Sequence, residues 1–402
     1  MRILRRTDAD YAERLRGLAE PSSLFDPGIE ERARGIITRV AAEGDVALAE
    51  FAERFDGAHI SHNHIAVTPA EQFSASVQAD KELRDAVTAA SKNISAFAKK
   101  SRRKDWSAKN SHGATVGEKF DPFQRVGIYI PGGTAPLVST CIMTITLAKE
   151  AGCEEIVVCT PPSRDGSVNP AVLFAANYAG ATEIYKVGGA QAIAAMALGT
   201  ESIRPVQKIF GPGNAFVVAA KRLLFGRVAI DLLPGPSEVL ILADDSANPK
   251  FIAADMLAQA EHGSGHERMW LITTSLKVLN QVEKELDRQL SECSRREFII
   301  RALEENGWLI NVIDLQHGID LINELAPEHC ELMVKNKKAA VKGIRTAGGI
   351  FVGGTTPTVV GDYVAGPSHT LPTGGAGKSF AGLTVDMFQR RTAVVEYNQA
   401  SL

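Results

Sequence analysis

Residues 125–133 read RVGIYIPGG. A short run rich in β-branched and aromatic residues ends in a proline–glycine–glycine loop, and small apolar residues follow. The same order recurs three times: EIVVCT (155–160) before Pro161-Pro162, EIYKV (183–187) before Gly188-Gly189, and QKIF (207–210) before Gly211-Pro212-Gly213. Strands alternating with helices at this spacing predict βαβ units and a parallel sheet. In such sheets ligands gather at the carboxyl ends of the strands, where these loops lie.

A second series follows: EVLILADD (238–245), WLITTS (270–275), WLINVI (308–313), HCELMV (329–334) and GGIFVG (348–353). These are again short apolar runs separated by helical sequence. The expected fold is therefore α/β, with two lobes built on parallel sheets and a cleft between them. The first third reads as helical. Apolar positions recur from Ile29 at Ala33, Ile36, Ile37 and Val40, the helical period. Gly44 stops that helix and Asp45 caps the next, which runs to Phe55. HIAVTPAE (64–71) reads as a short strand and a new helix start, and a long polar helix leads to about residue 100.

The 402 residues suit two or three domains. The formal net charge of −3 and 23% charged residues give no sign of a nucleic-acid or membrane-surface protein. The basic cluster Lys99, Lys100, Arg102, Arg103 and Lys104 lacks interleaved aromatic residues, so it reads as a solvated face. The five cysteines, at 141, 153, 159, 293 and 330, form no C-x-x-C. They predict a reduced, cytoplasmic protein with buried thiols. MRILRRTDAD lacks the apolar core of a signal peptide. The uncharged run from Val126 to Ala148 is long enough for a bilayer, but PGGTAP interrupts it.

Five segments hold chemistry-bearing residues. AQAEHGSGHE (258–267) places Gln259 and His262 three apart, on one face of a helix. The pair reads as half of a metal site or as a hydrogen-bonded surface pair, since Gln is an uncommon ligand. GPGNAF (211–216) imitates a dinucleotide fingerprint, with Asp231 twenty residues on. Phe216 replaces its third glycine and Pro212 removes an N–H, so a plain strand-to-helix turn also fits. YIPGGTAP (129–136) is a loop that lets a ligand approach the backbone, but it lacks the ending of a phosphate-binding P-loop. APEHCEL (326–332) sets Glu328 beside His329. Adjacent strand residues face opposite ways, so both reach one site only from an irregular junction, where they could act as a general acid/base pair. VVGDYVAGPSHTLPTGG (359–375) is a loop-rich stretch in which Asp362 is a candidate oxygen ligand.

Taken in order, VGIYIPGGTAPL, VGGAQAIAAMALGT, KIFGPGNAFV, LPGPSEVLI, AQAEH, APEHCEL, GDYVAGPSHTLPT and FQRR resemble the histidinol dehydrogenase family from about residue 25 to 395. The resemblance implies a zinc- and NAD-dependent enzyme that oxidises an alcohol through an aldehyde to a carboxylic acid in histidine synthesis. It implies NAD contacts at Tyr129, Gln191 and Asn214, and a substrate contact at Ser237. Gln259, His262 and Asp362 would be zinc ligands that also meet the substrate. Glu328 and His329 would be the acid/base pair, with His329 also touching substrate. It implies two incomplete Rossmann-like lobes with short helical terminal extensions, exchanged across a homodimer. The expected division is a 1–24 arm, a first lobe of 25–125 with 237–385, a second lobe of 126–236 on the NAD side, and a 386–402 tail.

The sequence also departs from the family's pattern. Family members continue some thirty residues beyond FQRR and draw from that extension a substrate-binding glutamate and a zinc-binding histidine. Here Leu402 follows Arg391 by about ten residues. The expected site therefore has three ligands, with His266 or His369 as a candidate fourth. Ser368 stands where the family usually has Asn. A paralogue acting on another small alcohol, such as a sulfonated propanediol, and a non-catalytic binding protein are the alternative readings.

Overall fold

The computed structural model describes residues 1–18, 26–132 and 137–402. The four residues 133–136 of the YIPGGTAP loop, expected to approach a ligand, lie outside the described residues. Of the described residues, those within 1–24, 234–362 and 371–382 form one compact unit, and those within 25–233, 363–370 and 383–402 form another. In chain order the strands are β1 (Arg2–Leu4), β2 (Trp106–Lys109), β3 (Thr115–Pro122), β4 (Arg125–Tyr129), β5 (Glu155–Thr160), β6 (Glu183–Lys186), β7 (Lys208–Phe210), β8 (Ala229–Ile230), β9 (Glu238–Ala243), β10 (Arg268–Thr273), β11 (Gly307–Asn311), β12 (His329–Met333), β13 (Gly349–Val352) and β14 (Gln389–Glu396).

In the unit that holds residues 25–233, a five-stranded sheet runs β6-β5-β4-β7-β8. Every pairing in it is parallel. Successive residues of each strand face opposite sides, and both sides are buried. Val126 and Ile128 join one apolar cluster, while Tyr129, Val157 and Cys159 join the other. That explains why these strands read as continuous apolar runs rather than alternating ones. Successive strands step outward from β4 to β6 and then return on the other side at β7, so the order reverses between β4 and β7.

Residues 25–125 were expected with 237–385; the described ones among them belong to the unit of this sheet instead. The stripe Ala33, Ile36 and Val40 of helix Pro27–Glu43 is buried against helices Gly189–Leu198 and Ala215–Leu224. Val87, Ala90, Ile94 and Ala98 of helix Lys81–Ser101 recur at three- and four-residue spacing, and that helix packs on Val138–Ala151. Gly44, at φ +56°, rather than Asp45 is the hinge residue between helices Pro27–Glu43 and Asp45–Phe51. HIAVTPAE forms no full strand. It makes a single antiparallel bridge, Ala66 to Tyr185, and then a capping box in which Thr68 and Glu71 satisfy each other's backbone N–H groups.

The other unit holds a six-stranded sheet in the order β1-β11-β10-β9-β12-β13, parallel throughout. Its order reverses between β9 and β12. The N-terminal arm was expected to be helical; its first described element is instead the edge strand β1, followed by helix Tyr11–Gly17. The C-terminal tail is not helical either. It forms β14, which pairs antiparallel with β3 in a three-stranded sheet. Among the described residues, no helix is long and apolar enough to cross a membrane. All five cysteines are free thiols, four of them buried.

Candidate active site

In each unit expected site residues lie where the sheet reverses its order: Tyr129 and Asn214 beside β4 and β7, Glu328 and His329 beside β9 and β12. In the five-stranded unit, Tyr129 ends β4 and the Gly211 turn follows β7. Gly211 has φ +111°, and a Cβ there would overlap the Tyr129 carbonyl oxygen. Only glycine satisfies both demands. The turn is clamped by Asp231, which accepts the Gly211 N–H at 2.8 Å and pairs with the buried Lys221 ammonium. Lys221 also donates to the carbonyls of Gly211, at 2.6 Å, and Leu232, at 3.2 Å. Asp231 therefore does not serve as the ribose acceptor its spacing imitated. The clamp delivers Asn214 to the helix start, where its Oδ1 accepts the N–H groups of Phe216 and Val217 at 3.0 and 3.2 Å.

Tyr129, Gln191 and Asn214 line one cavity of about 650 Å³, together with Pro131, Pro161 and Asp56. Gly189 donates its N–H to Tyr129 Oη at 3.0 Å. Burial pushes the Tyr129 hydroxyl up to about 12, so it remains a neutral donor. Gln191 Oε1 and Asp56 Oδ2 are buried at the cavity and have no partner among the described residues. Burial raises the Asp56 carboxyl to about 6, which leaves it largely ionised at neutral pH. Sequence reasoning missed Asp56, because a lone aspartate at a helix end carries no pattern. Helices Gly189–Leu198 and Ala215–Leu224 both begin at this cavity. Unpaired acceptors for hydroxyls, neutral donors and helix N-termini that favour phosphate suit a dinucleotide.

In the six-stranded unit, Glu328 and His329 meet at the amino end of β12. Helix Leu315–Leu325 ends at Ala326, a non-glycine residue at φ +48°, and Pro327 follows. This irregular junction keeps Glu328 off the strand while His329 begins it. The two side chains consequently approach to 3.5 Å instead of facing opposite ways. Both are buried. Glu238, the first residue of β9, holds both: its N–H donates to Glu328 Oε2 at 2.8 Å, and its carbonyl accepts His329 Nδ1–H at 2.9 Å. That bond leaves His329 Nε2 facing Asp362 Oδ1 at 3.5 Å. Gly361 allows the Phe351 ring to pack over the Asp362 helix, and that ring stands 5.7 Å from the His329 ring.

Burial, more than any neighbour, pushes the Glu328 carboxyl up to about 8. For His329, burial pulls downward, but the charges of Glu328 and Asp362 prevail and raise it to about 9. Glu238 is likewise raised by burial to about 7. Ser237 immediately precedes Glu238, and its carbonyl accepts the Arg268 N–H at 3.1 Å.

Gln259 lies in the last turn of helix Pro249–Ala260 and is buried, with Nε2 lacking a partner. His262 follows that helix, and its Nδ1–H donates to the Gln259 carbonyl at 3.1 Å. The bond fixes the tautomer that leaves Nε2 as a lone-pair donor, the usual outer-shell arrangement of a metal-binding imidazole. A carboxamide, which binds through its oxygen, an oriented imidazole and the Asp362 carboxylate are the N and O donors that zinc accepts. Among the described residues, no three His, Cys, Asp or Glu side chains stand together at ligating geometry. His266 is exposed in the turn that Glu267 closes by accepting the Ser264 and Gly265 N–H groups at 2.7 and 2.9 Å. His369 belongs to the other unit, with Nε2 3.5 Å from Thr140 Oγ1.

The family model described as histidinol dehydrogenase matches residues 21–402. A histidinol dehydrogenase of Synechococcus sp. is 47% identical over 93% of this chain and 86% of its own length. One from Geobacillus kaustophilus is 43% identical over 97% of this chain and 92% of its own. Among solved structures, the histidinol dehydrogenase of Elizabethkingia anophelis superposes with a TM-score of 0.94 at 35% identity, covering 99% of this chain and 90% of that one.

Proposed function

The chain belongs to the histidinol dehydrogenase family, and on that footing we propose that it oxidises L-histidinol through histidinal to L-histidine, with NAD and zinc. The observation that carries this reading is the buried Glu328–His329 pair, held from both sides by the backbone of Glu238. When bound, NAD supplies the hydride acceptor and zinc an orienting template for the substrate. Gln259, His262 and Asp362 would hold the metal, and Ser237 would meet the substrate. Tyr129, Gln191 and Asn214 would hold the dinucleotide. Asp56 joins them as acceptor for ribose hydroxyls, the task a carboxylate performs in NAD sites generally.

His329, locked by its Nδ1–H bond, presents Nε2 to take the alcohol proton as hydride departs. Glu328, held by the Glu238 N–H, takes a proton from the water that hydrates the aldehyde. The hydrate then gives up the second hydride. Both groups act as bases only when deprotonated, and they are held near 8 and 9, so kcat/KM rises with pH above neutrality. The test is NADH formation by purified protein supplied with zinc and offered histidinol, histidinal or a panel of diols. Two NADH per histidinol are expected; turnover of a diol but not of histidinol would contradict the reading.

The protein is further proposed to act as a homodimer in a reducing compartment. Val394, Val395 and Tyr397 at β14 are exposed, an apolar surface that a second copy would cover. The five free thiols fit such a compartment. Light scattering should give twice the monomer mass of 43.1 kDa.

A further inference from the structure

Glu331, two residues beyond His329, is 1% exposed and takes no part in the acid/base pair. Its Oε1 accepts the Thr358 N–H at 3.0 Å. Its carboxyl lies beside that of Asp255, which is 7% exposed. Glu331 Oε2 has no N–H or O–H donor among the described residues, so a proton shared with Asp255 is what would satisfy it. Two carboxyls bond to each other only when they share a proton, and burial drives both groups toward the protonated form. A protonated pair is a poor metal ligand, so it does not compete with the site beside it.

The registers of the three contacts coincide. Asp255 lies four residues before Gln259 in helix Pro249–Ala260, one turn away on the same face. Thr358 lies four residues before Asp362 in helix Thr358–Tyr363. Glu331 lies two after His329 in β12, on the same face of the strand. The elements that carry Gln259, Asp362 and His329 are thus each tied to one carboxyl pair, a single repeat away. Apolar side chains could pack these three elements without the cost of burying carboxyls. Directional bonds do something packing does not: they fix how far each element slides along its neighbour.

We propose that the Glu331–Asp255 carboxyl pair is a positioning device that sets the spacing of Gln259, Asp362 and His329, and through it the affinity of the site for a divalent cation. The proposal rests on reading Gln259 and Asp362 as ligands. It is tested on the full-length, metal-stripped protein by competition for zinc against a chromophoric chelator, with thermal melting recorded in parallel. Glu331→Leu should weaken zinc binding 10- to 100-fold, the loss typical when an outer-shell partner is removed. Glu331→Gln should remain within about 3-fold of the parent, because its amide donates to Asp255 and accepts from Thr358. Should Glu331→Leu fail to fold, Asp255→Ala serves in its place with the same expected loss. A folded Glu331→Leu with a lowered melting temperature and unchanged zinc affinity would reduce the pair to a structural staple and overturn the proposal. So would a Gln variant as impaired as the Leu variant. Gln259→Ala is the control: if it leaves zinc affinity unchanged, the ligand reading itself has failed and the proposal falls with it.

Discussion

The two sheets share an architecture and use opposite edges of it. The five-stranded unit builds its cavity at the carboxyl ends of β4 and β7, where helices Gly189–Leu198 and Ala215–Leu224 begin. The six-stranded unit builds its acid/base pair at the amino ends of β9 and β12. Helices linking parallel strands run back against them, so at this edge they end: Pro249–Ala260 at Gln259 and Leu315–Leu325 beside Glu328. A helix start carries partial positive charge and a helix end partial negative charge. The first edge is suited to the phosphates of a dinucleotide, the second to a cation. Side-chain charge sharpens the contrast. At the first edge the buried Lys221 is paired with Asp231. Around the second, Glu238, Glu328, Glu331 and Asp255 are all buried, and His329 is the sole buried cation bonded among them in the described residues. A surplus of buried carboxyls persists only if protons or a metal neutralise it.

The contrast can be broken at either edge. The largest effect is expected from His329→Asn. It should lower kcat by roughly 10²- to 10⁴-fold, the usual weight of a positioned base, while zinc content by metal analysis stays the same. Unchanged turnover would remove His329 from the chemistry. Lys221→Met tests the paired edge. It leaves Asp231 buried without its cation and should destabilise the protein by about 3–5 kcal/mol in urea unfolding; a loss below about 1 kcal/mol would mean that the clamp is not a paired charge. Asp56→Asn keeps the shape of the cavity but removes an anion that would repel a 2′-phosphate. By calorimetry it should bind NAD roughly 10-fold more weakly, with a smaller loss for NADP. Equal losses would deny Asp56 a part in that choice.

The smallest effect concerns acid. Hydrogen bonds from Arg125 hold the Glu183 carboxyl well down, to about 2. A depressed carboxyl stabilises the fold fully above its unfolded value, about 4.5. That contribution fades as pH falls from there through about 2. Glu183→Gln should therefore lose stability at pH 7 and show a flatter decline below pH 4.5. Parallel acid profiles for the two proteins would contradict the assignment.

Apart from the edge strands β1 and β8, the strands of both sheets could be read from the sequence, because a strand buried on both faces writes a continuous apolar run. The pairing of β2, β3 and β14 could not, since these exposed or half-buried strands write no continuous apolar run. Nor could the partner of residues 25–125: the stripe Ala33, Ile36 and Val40 declares a buried face but not what buries it. For the sites, the glycine turns around Tyr129, Gln191 and Asn214 are local and legible, while the part of these side chains in holding NAD came from the family resemblance. Glu328 and His329 were marked by adjacency, but their meeting depends on Ala326 at positive φ and on Glu238 ninety residues earlier. Asp56, Asp255 and Glu331 left no local trace, because their significance lies in what surrounds or fails to surround their oxygens.

The central claim is that Glu328 and His329 divide the two proton removals between them. It is tested most directly by counting NADH formed per histidinol in Glu328→Gln. The account predicts one NADH, with histidinal accumulating, since His329 still serves the first oxidation and water is no longer activated for the second. Two NADH at the parent rate would contradict it.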